Sequence, residues 1–477
     1  IERMKKFPGE KIVFLAPTKP LAEQHLDYFK KNLPELFGDM QLFTGLVQSG
    51  KRKEIWQTAD MVFSTPQCVA NDVKKNLYDL KNVCLLIEDE AHRCVKSYDY
   101  TFVAKKYTEQ ALHPRILGLT ASPGSDIEKI NEICKNLSIE EVEIRNRESP
   151  DVSQYLQELK FEKIVIDFPP EFNEIRNALK KILGECIDEL RKRHVFFGPP
   201  SKTELVRLQN RLISSISKGN KSFNNLLASS TCAQALKIHH AIELLETQTI
   251  TGFNSYLKEL LKKAEKKENK ATMKLVLKPE FNYSLMKSNE LLSNKIEHPK
   301  IMKLKEIIEE EFKKNSKTKI MIFAQFRNTV QKIAEELENI KKINAKTFVG
   351  QAKKKNSSNS TESGLSQKEQ KKILEEFSGG EINVLVCTSI GEEGLDIQEV
   401  NAVIFYEAVP SAIRTIQRRG RTARLKPGKI IMLIAKDTRD EVHFYVSKAK
   451  EKKMGSAIDS IKKNLKNKIN SEKQQTL

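Results

Sequence analysis

Two adjacent carboxylates, Asp89 and Glu90, directly follow the apolar run Val83–Glu88 (VCLLIE) and precede Ala91 and His92. At the carboxyl end of a parallel strand, such a pair has a defined chemical use. One carboxylate can hold Mg²⁺, and its neighbour can orient or deprotonate an attacking water. Alone, the tetrapeptide could also be an acidic turn. Three further groups follow it in chain order. Thr120-Ala121-Ser122 closes another apolar run and offers hydroxyls. Thr388–Asp396 (TSIGEEGLD) forms a glycine-bracketed turn, and Gln417–Arg424 (QRRGRTAR) gathers guanidinium groups on a helical pattern. Arginines facing a metal-binding acidic pair suit charge stabilisation on a transferring phosphate. By itself the arginine cluster would equally suit a polyanion-binding surface.

The elements that must carry these groups alternate. Lys11–Ala16, Met61–Ser64, Val83–Glu88 and Ile116–Thr120 read as buried parallel strands separated by amphipathic helices. The same grammar restarts at Lys319–Phe323 and continues through Asn383–Thr388, Ala402–Glu407 and Lys429–Ala435. Two α/β lobes with doubly wound parallel sheets are therefore expected. From about Pro150 to His298 strand signals nearly vanish. Ala235, Ile238, Ile242 and Leu245, then Leu257, Leu260, Leu261 and Ala264, recur at helical spacing. The expected division is a first lobe over 1–149, a helical insert over 150–298, a second lobe over 299–447 and a basic tail or linker over 448–477. Lys258, Lys262, Lys263, Lys266 and Lys267 crowd one insert helix, either as a solvated face or as a nucleic-acid clamp.

At 477 residues with 19 more basic than acidic side chains, the chain should form two or three domains and meet a polyanion. No apolar run reaches membrane-spanning length, which favours nucleic acid over a membrane face and a cytoplasmic, nucleoid-associated protein. Seven scattered cysteines without C-x-x-C spacing read as reduced thiols. His239 and His240 fit no zinc spacing and read as packing groups. Phe196-Phe197 before Gly198-Pro199-Pro200 reads as a loop anchor.

The ordered set Ala16–Pro20 (APTKP), Thr65–Gln67 (TPQ), DEAH, TAS, Ile322–Arg327 (IFAQFR), TSIGEEGLD and QRRGRTAR resembles superfamily 2 helicases. Within them the chain is most similar to the archaeal Hef proteins and their eukaryotic relative, the Fanconi anaemia group M translocase. The stretches IEDEAHR, LGLTASPGS, ALKIHHAIELLETQ and EAVPSAIRTIQRRGRTAR carry that likeness. It implies two RecA-like lobes with a helical insert, ATP and Mg²⁺ as cofactors, and forked or branched DNA as partner in replication-fork repair. By the resemblance Asp89 would serve Mg²⁺, Glu90 would position water, and His92 and Ser122 would couple hydrolysis to lobe movement. Gln417, Arg421 and Arg424 would reach the nucleotide with Gly391, Gly394 and Asp396. Thr18, Lys19, Thr65, Gln67 and Thr388 would touch the DNA backbone, with Lys258 and Lys262 of the insert. The resemblance extends to a nuclease domain or clamp partner in a full-length protein, yet no nuclease carboxylate–lysine cluster is visible after Lys448.

One part is missing from the pattern. A G-x-x-x-x-G-K-[ST] loop should precede APTKP, and none does. Gly45–Arg52 (GLVQSGKR) has the glycine and lysine spacing, but Arg52 replaces the metal-binding hydroxyl, so it is expected to be a decoy. The chain is therefore expected to be an inactive fragment of an active motor. A nucleotide-independent branched-DNA module and a double-stranded-RNA-dependent ATPase are the alternatives.

Overall fold

The structure is a computed structural model. It describes all residues except 34–37, 146, 148, 352–353, 356–360, 363, 393–396, 398, 424–425 and 476–477, and only the backbone of 354–355, 361–362, 466 and 468–475. The low-complexity stretch 353–364 thus lies largely outside the described residues.

The first sheet holds β1 (Lys11–Leu15), β2 (Met40–Phe43), β3 (Met61–Ser64), β4 (Val83–Asp89) and β5 (Ile116–Leu119), all parallel, in the order β2-β3-β1-β4-β5. Thr18-Lys19-Pro20 and Thr65-Pro66 follow β1 and β3. Their prolines sit in the first turns of helices Lys19–Asn32 and Pro66–Lys74, where no amide donor is needed. Each threonine is thereby held at the carboxyl end of its strand. Among the described residues nothing pairs with the outer side of β5, and Leu117 and Leu119 on it are exposed.

The second sheet is also parallel, in the order β6-β13-β12-β7-β11-β8. It is built from β6 (Leu159–Ile166), β7 (Ile320–Phe323), β8 (Ala345–Phe348), β11 (Val384–Cys387), β12 (Ala402–Phe405) and β13 (Gly428–Ala435). A two-stranded antiparallel pair, β9 (Lys354–Lys355) and β10 (Thr361–Glu362), stands apart. The strand β6 corrects the expected extent of the insert, because it lies inside 150–298 yet pairs along its whole length with β13. As an edge strand its residues are half-buried or exposed, and Lys160, Glu162 and Lys163 break the apolar run that would mark a central strand.

Six helices between Pro170 and Ser293 therefore interrupt the second lobe between its first and second strands. They enclose their own core, in which Ala235, Ile238, Ile242, Leu245, Leu257, Leu260 and Ala264 are buried and Leu261 is half-buried. Buried polar contacts fix this bundle to the second lobe. Lys300 pairs with Asp440 and donates to the Thr247 carbonyl at 3.1 Å, and Thr329 donates to Gln248 at 2.8 Å.

The stretch after Lys448, expected as a weakly helical basic tail or linker, continues one helix, Arg439–Gln475. All seven cysteines are free thiols. Among the described residues no helix is long and apolar enough to cross a membrane.

Candidate functional site

The register of β4 against β5 places Asp89 opposite Leu119, so residues leaving the two strands run side by side. Tyr100 braces this end of the sheet, its hydroxyl 2.7 Å from the Asp89 carbonyl and 3.3 Å from that of Leu15. Glu90 adopts a left-handed conformation (φ 53°) that turns the chain into the short helix Ala91–Arg93. His92 Nδ1 lies 3.1 Å from Thr120 Oγ1 and 3.1 Å from Glu90 Oε2, joining the acidic turn to the Thr120–Ser122 loop. Gly118 permits that approach, since a Cβ there would stand 3.1 Å from the Ala91 Cβ.

Asp89 Oδ2 is 3.0 Å from His25 Nε2, a partner the motif pattern did not suggest; His25, on the helix Lys19–Asn32, rests on Phe14 of β1. Asp89 keeps partial exposure, whereas Glu88 behind it is fully buried and holds its proton well above the usual range because burial penalises its charge. Among the described residues no three His, Cys, Asp or Glu side chains cluster as a metal cage. A lone carboxylate such as Asp89 suits Mg²⁺ that arrives with a nucleotide's phosphates.

The second lobe carries the remaining groups. Gln417 and Arg421 stand on and just after helix Ala412–Arg419, and Arg421 donates to the Glu392 carbonyl at 2.8 Å. Gly391 ends a short turn so tight that a Cβ would meet Cys387 Cβ at 3.0 Å and Phe323 at 3.1 Å. Gly394, Asp396 and Arg424 lie outside the described residues. The lobes meet where Gly124, two residues beyond Ser122, faces Ile413 of the arginine helix; a Cβ on it would be 3.7 Å from Ile413 Cδ1.

A separate cleft of about 490 Å³ opens between the lobes. Thr18 and Thr388, both expected on the nucleic-acid backbone, line it together. Arg93, Gln325, Arg327 and Gly350 join them; Arg93 lies in the IEDEAHR stretch and Gln325 and Arg327 in IFAQFR, but none had been given a role as a site residue. Their signal was position. Arg93 immediately follows the acidic tetrapeptide, and the registers of β7, β8 and β11 bring Phe323, Phe348 and Cys387 level, so the segments after them converge. Lys19, Thr65 and Gln67 do not line this cleft: Lys19 pairs with Glu23, Thr65 donates to Cys68 Sγ, and Gln67 reaches Tyr98. Lys258 and Lys262 are exposed on helix Ile250–Glu265 and do not line the cleft. His239 is 3.0 Å from the Arg439 guanidinium, and His240 packs against Tyr256 and Phe326. Phe196 is buried while Phe197 is exposed.

Gly45–Arg52 is built the wrong way round for an anion. Arg52 is buried against Asp72, with contacts of 2.5 and 2.6 Å, and donates to the Thr44 and Val47 carbonyls. The loop thus turns carbonyls onto a cation, where a phosphate cradle turns N–H groups onto an anion. It also follows β2, three strands from β4.

Comparison with known families and structures agrees with the two-lobed fold. Residues 1–130 match the DEAD/DEAH box helicase family, residues 299–426 the helicase conserved C-terminal domain, and residues 171–291 the helical bundle of an ATP-dependent RNA helicase family. The crystal structure of the Pyrococcus furiosus Hef helicase domain superposes with a TM-score of 0.68 at 41% identity, covering 93% of this chain and 90% of that one. The chain belongs to the Hef-type superfamily 2 helicases. A Methanocaldococcus jannaschii relative named as an ATP-dependent RNA helicase is 39% identical over 93% of this chain and 54% of its own length. The ATP-dependent DNA helicase mph1 of Neurospora crassa is 33% identical over 90% of this chain and 38% of its own length. The chain thus spans about half or less of these curated relatives.

Proposed function

We propose that the chain is the motor portion of an ATP-dependent helicase or translocase that acts on forked or branched DNA. The observation that carries this reading is the junction of the two lobes: the Asp89–Glu90 turn, tied to Thr120 through His92, stands beside the loop at Gly124 that faces the arginine helix. In this reading Asp89 takes a Mg²⁺ ion brought by the nucleotide, which would neutralise phosphate charge. Glu90 orients the attacking water, and His92 and Ser122 pass movement to the second lobe. Gln417, Arg421 and Arg424 meet the triphosphate from the other side, with Gly391, Gly394 and Asp396 shaping the turn beside it. Thr18, Thr388, Arg93 and Arg327 hold phosphates along the cleft, with Lys19, Thr65, Gln67 and the insert's Lys258 and Lys262 extending the track. Contacts of this kind fix position without reading sequence.

The phosphate cradle is the element these residues do not provide. A strand-and-loop segment pairing with the open side of β5 would set it next to Thr120 and Glu90, so this polypeptide alone should turn over little ATP. A nuclease domain or clamp partner belongs to the same reading of a longer protein. DNA-stimulated phosphate release tests it: negligible release by the chain, and release restored when a segment carrying G-x-G-K-T is joined ahead of it. Vigorous release by the chain alone would overturn the reading. The names of the Methanocaldococcus relative and of the helical-bundle family favour RNA as the second reading. Competition among fork DNA, linear duplex DNA and duplex RNA at one stated salt concentration separates them.

A further inference from the structure

The helix Arg439–Gln475 carries a single stripe at alternating spacings of four and three: Asp440, Phe444, Ser447, Glu451, Met454, Ile458, Ile461 and Leu465. All eight are buried or half-buried, as are Glu441, His443, Val446, Ala457 and Lys462 beside them, and the remaining residues from Asp440 to Leu465 are exposed. A stripe of this period keeps one face of a straight helix against its neighbours. Here the neighbours change along its length. Asp440 and Phe444 belong to the second lobe. Ser447 Oγ is 3.0 Å from Thr415 Oγ1, and Glu451 accepts from Arg419 Nη1 at 3.0 Å, so the next turn grips the arginine helix. One turn further, Met454 Sδ accepts from Ser122 Oγ at 3.0 Å. Ala457 and Ile461 are then buried with Ile130 of the first lobe, flanked by Cys134, Ile458 and Leu465, and Lys462 pairs with Glu143 at 3.7 Å.

We infer that Glu451 and Met454 are positioning residues, and that the helix bearing them is a strut setting the angle between the lobes. It touches the arginine helix of the second lobe and Ser122 of the first within three residues, roughly 4.5 Å of rise. A change in the lobe angle must therefore either carry Ser122 with the helix or part the seam at Ala457 and Ile461. Among the described residues that seam has three buried members and is separate from the main core of either lobe, so it can open without unfolding them. The inference rests on the proposed motor reading for its purpose, but not for its geometry.

The test uses this chain without nucleotide. Bio-orthogonal spin labels at exposed Lys105 of the first lobe and Lys372 of the second report the distance between lobes. One narrow distribution is expected for the parent chain and for Lys463→Glu, which alters the exposed face of the same helix. Ile461→Glu, and separately a chain ending at Lys450, should each broaden the distribution and move it to longer distance, while the thermal transition of Trp56 in the first lobe stays unchanged. A narrow, unmoved distribution in both variants would overturn the strut, as would equal broadening by Lys463→Glu. A failed strut leaves the ATPase proposal standing, and absence of ATP turnover in the completed protein leaves the distance result standing.

Discussion

Arg418 and Glu392 form a buried ion pair inside the second lobe, Nε to Oε1 at 2.8 Å, with both side chains almost inaccessible to solvent. Glu392 also accepts from Arg414 Nε at 2.9 Å, and the Arg418 guanidinium carbon lies 5.0 Å from the Phe323 ring and 5.4 Å from Phe405. One carboxylate thus locks the glycine turn after β11 to the arginine helix. Of the two residues at positions 391 and 392, Gly391 supplies room and Glu392 supplies the tie.

Removing that carboxylate should be costly. Glu392→Gln leaves the buried Arg418 without its hydrogen-bonded carboxylate, a change worth about 3–5 kcal/mol for buried pairs. Denaturant unfolding followed by far-ultraviolet circular dichroism should show the second lobe lost early. The fluorescence of Trp56, the single tryptophan, reports the first lobe and should hold its midpoint. A shifted Trp56 midpoint with unchanged dichroism would contradict the assignment.

The converse holds for Asp72. It receives both Arg52 contacts and the Tyr78 hydroxyl at 3.1 Å, and Tyr78 stacks on Trp56 at 4.0 Å. Asp72→Asn should lower the Trp56 midpoint by a similar about 3–5 kcal/mol. Lys51→Ala, on the exposed neighbour, should alter neither stability nor the binding of a fluorescent ATP analogue; weakened binding would reinstate Gly45–Arg52 as a nucleotide loop.

Glu407 makes stability depend on pH in the direction opposite to a surface carboxylate. Burial pushes its pKa up to about 7, with Arg418 and Lys300 pulling the other way. The native state therefore keeps a proton that the unfolded chain releases above its ordinary value of 4.5. The stabilising contribution is complete below that value and is lost as pH rises towards 7. Glu407→Gln cannot ionise, so its stability relative to the parent should improve between pH 5 and pH 8, by on the order of 3 kcal/mol. Parallel curves for the two proteins across that range would contradict the assignment.

Nucleic-acid binding should respond to the cleft and the insert in the same currency. Replacing two cations that contact phosphates lowers the slope of log affinity against log salt by about 2 and weakens all sequences alike. Arg93→Ala with Arg327→Ala tests the cleft, and Lys258→Glu with Lys262→Glu tests the insert. Unchanged slopes for the second pair would assign that lysine row to a solvated face.

Much of this molecule could be read from its residues in order. The strands β1, β3, β4, β7, β11, β12 and β13 announce themselves because buried parallel strands must be continuously apolar; β5 shows the same apolar run, but Leu117 and Leu119 on it are exposed, so it is not the buried strand its sequence suggests. The acidic and hydroxyl groups stand at the carboxyl ends of their strands because the chain leaves each strand at a fixed place, whereas the arginine group is carried by the helix Ala412–Arg419 and the turn after it. The helical insert was legible from the spacing of Ala235, Ile238, Ile242 and Leu245. Local periodicity reports which face of an element is buried; it does not say against what. Hence β6, an edge strand broken by Lys160, Glu162 and Lys163, concealed its place in the second sheet. The part of the stripe beyond Lys448 read as a weakly helical basic tail or linker because most of its neighbours are lysines and polar groups. Partners distant in sequence, His25 on Asp89, Arg52 on Asp72 and Met454 on Ser122, follow from register and packing, which only the folded chain decides.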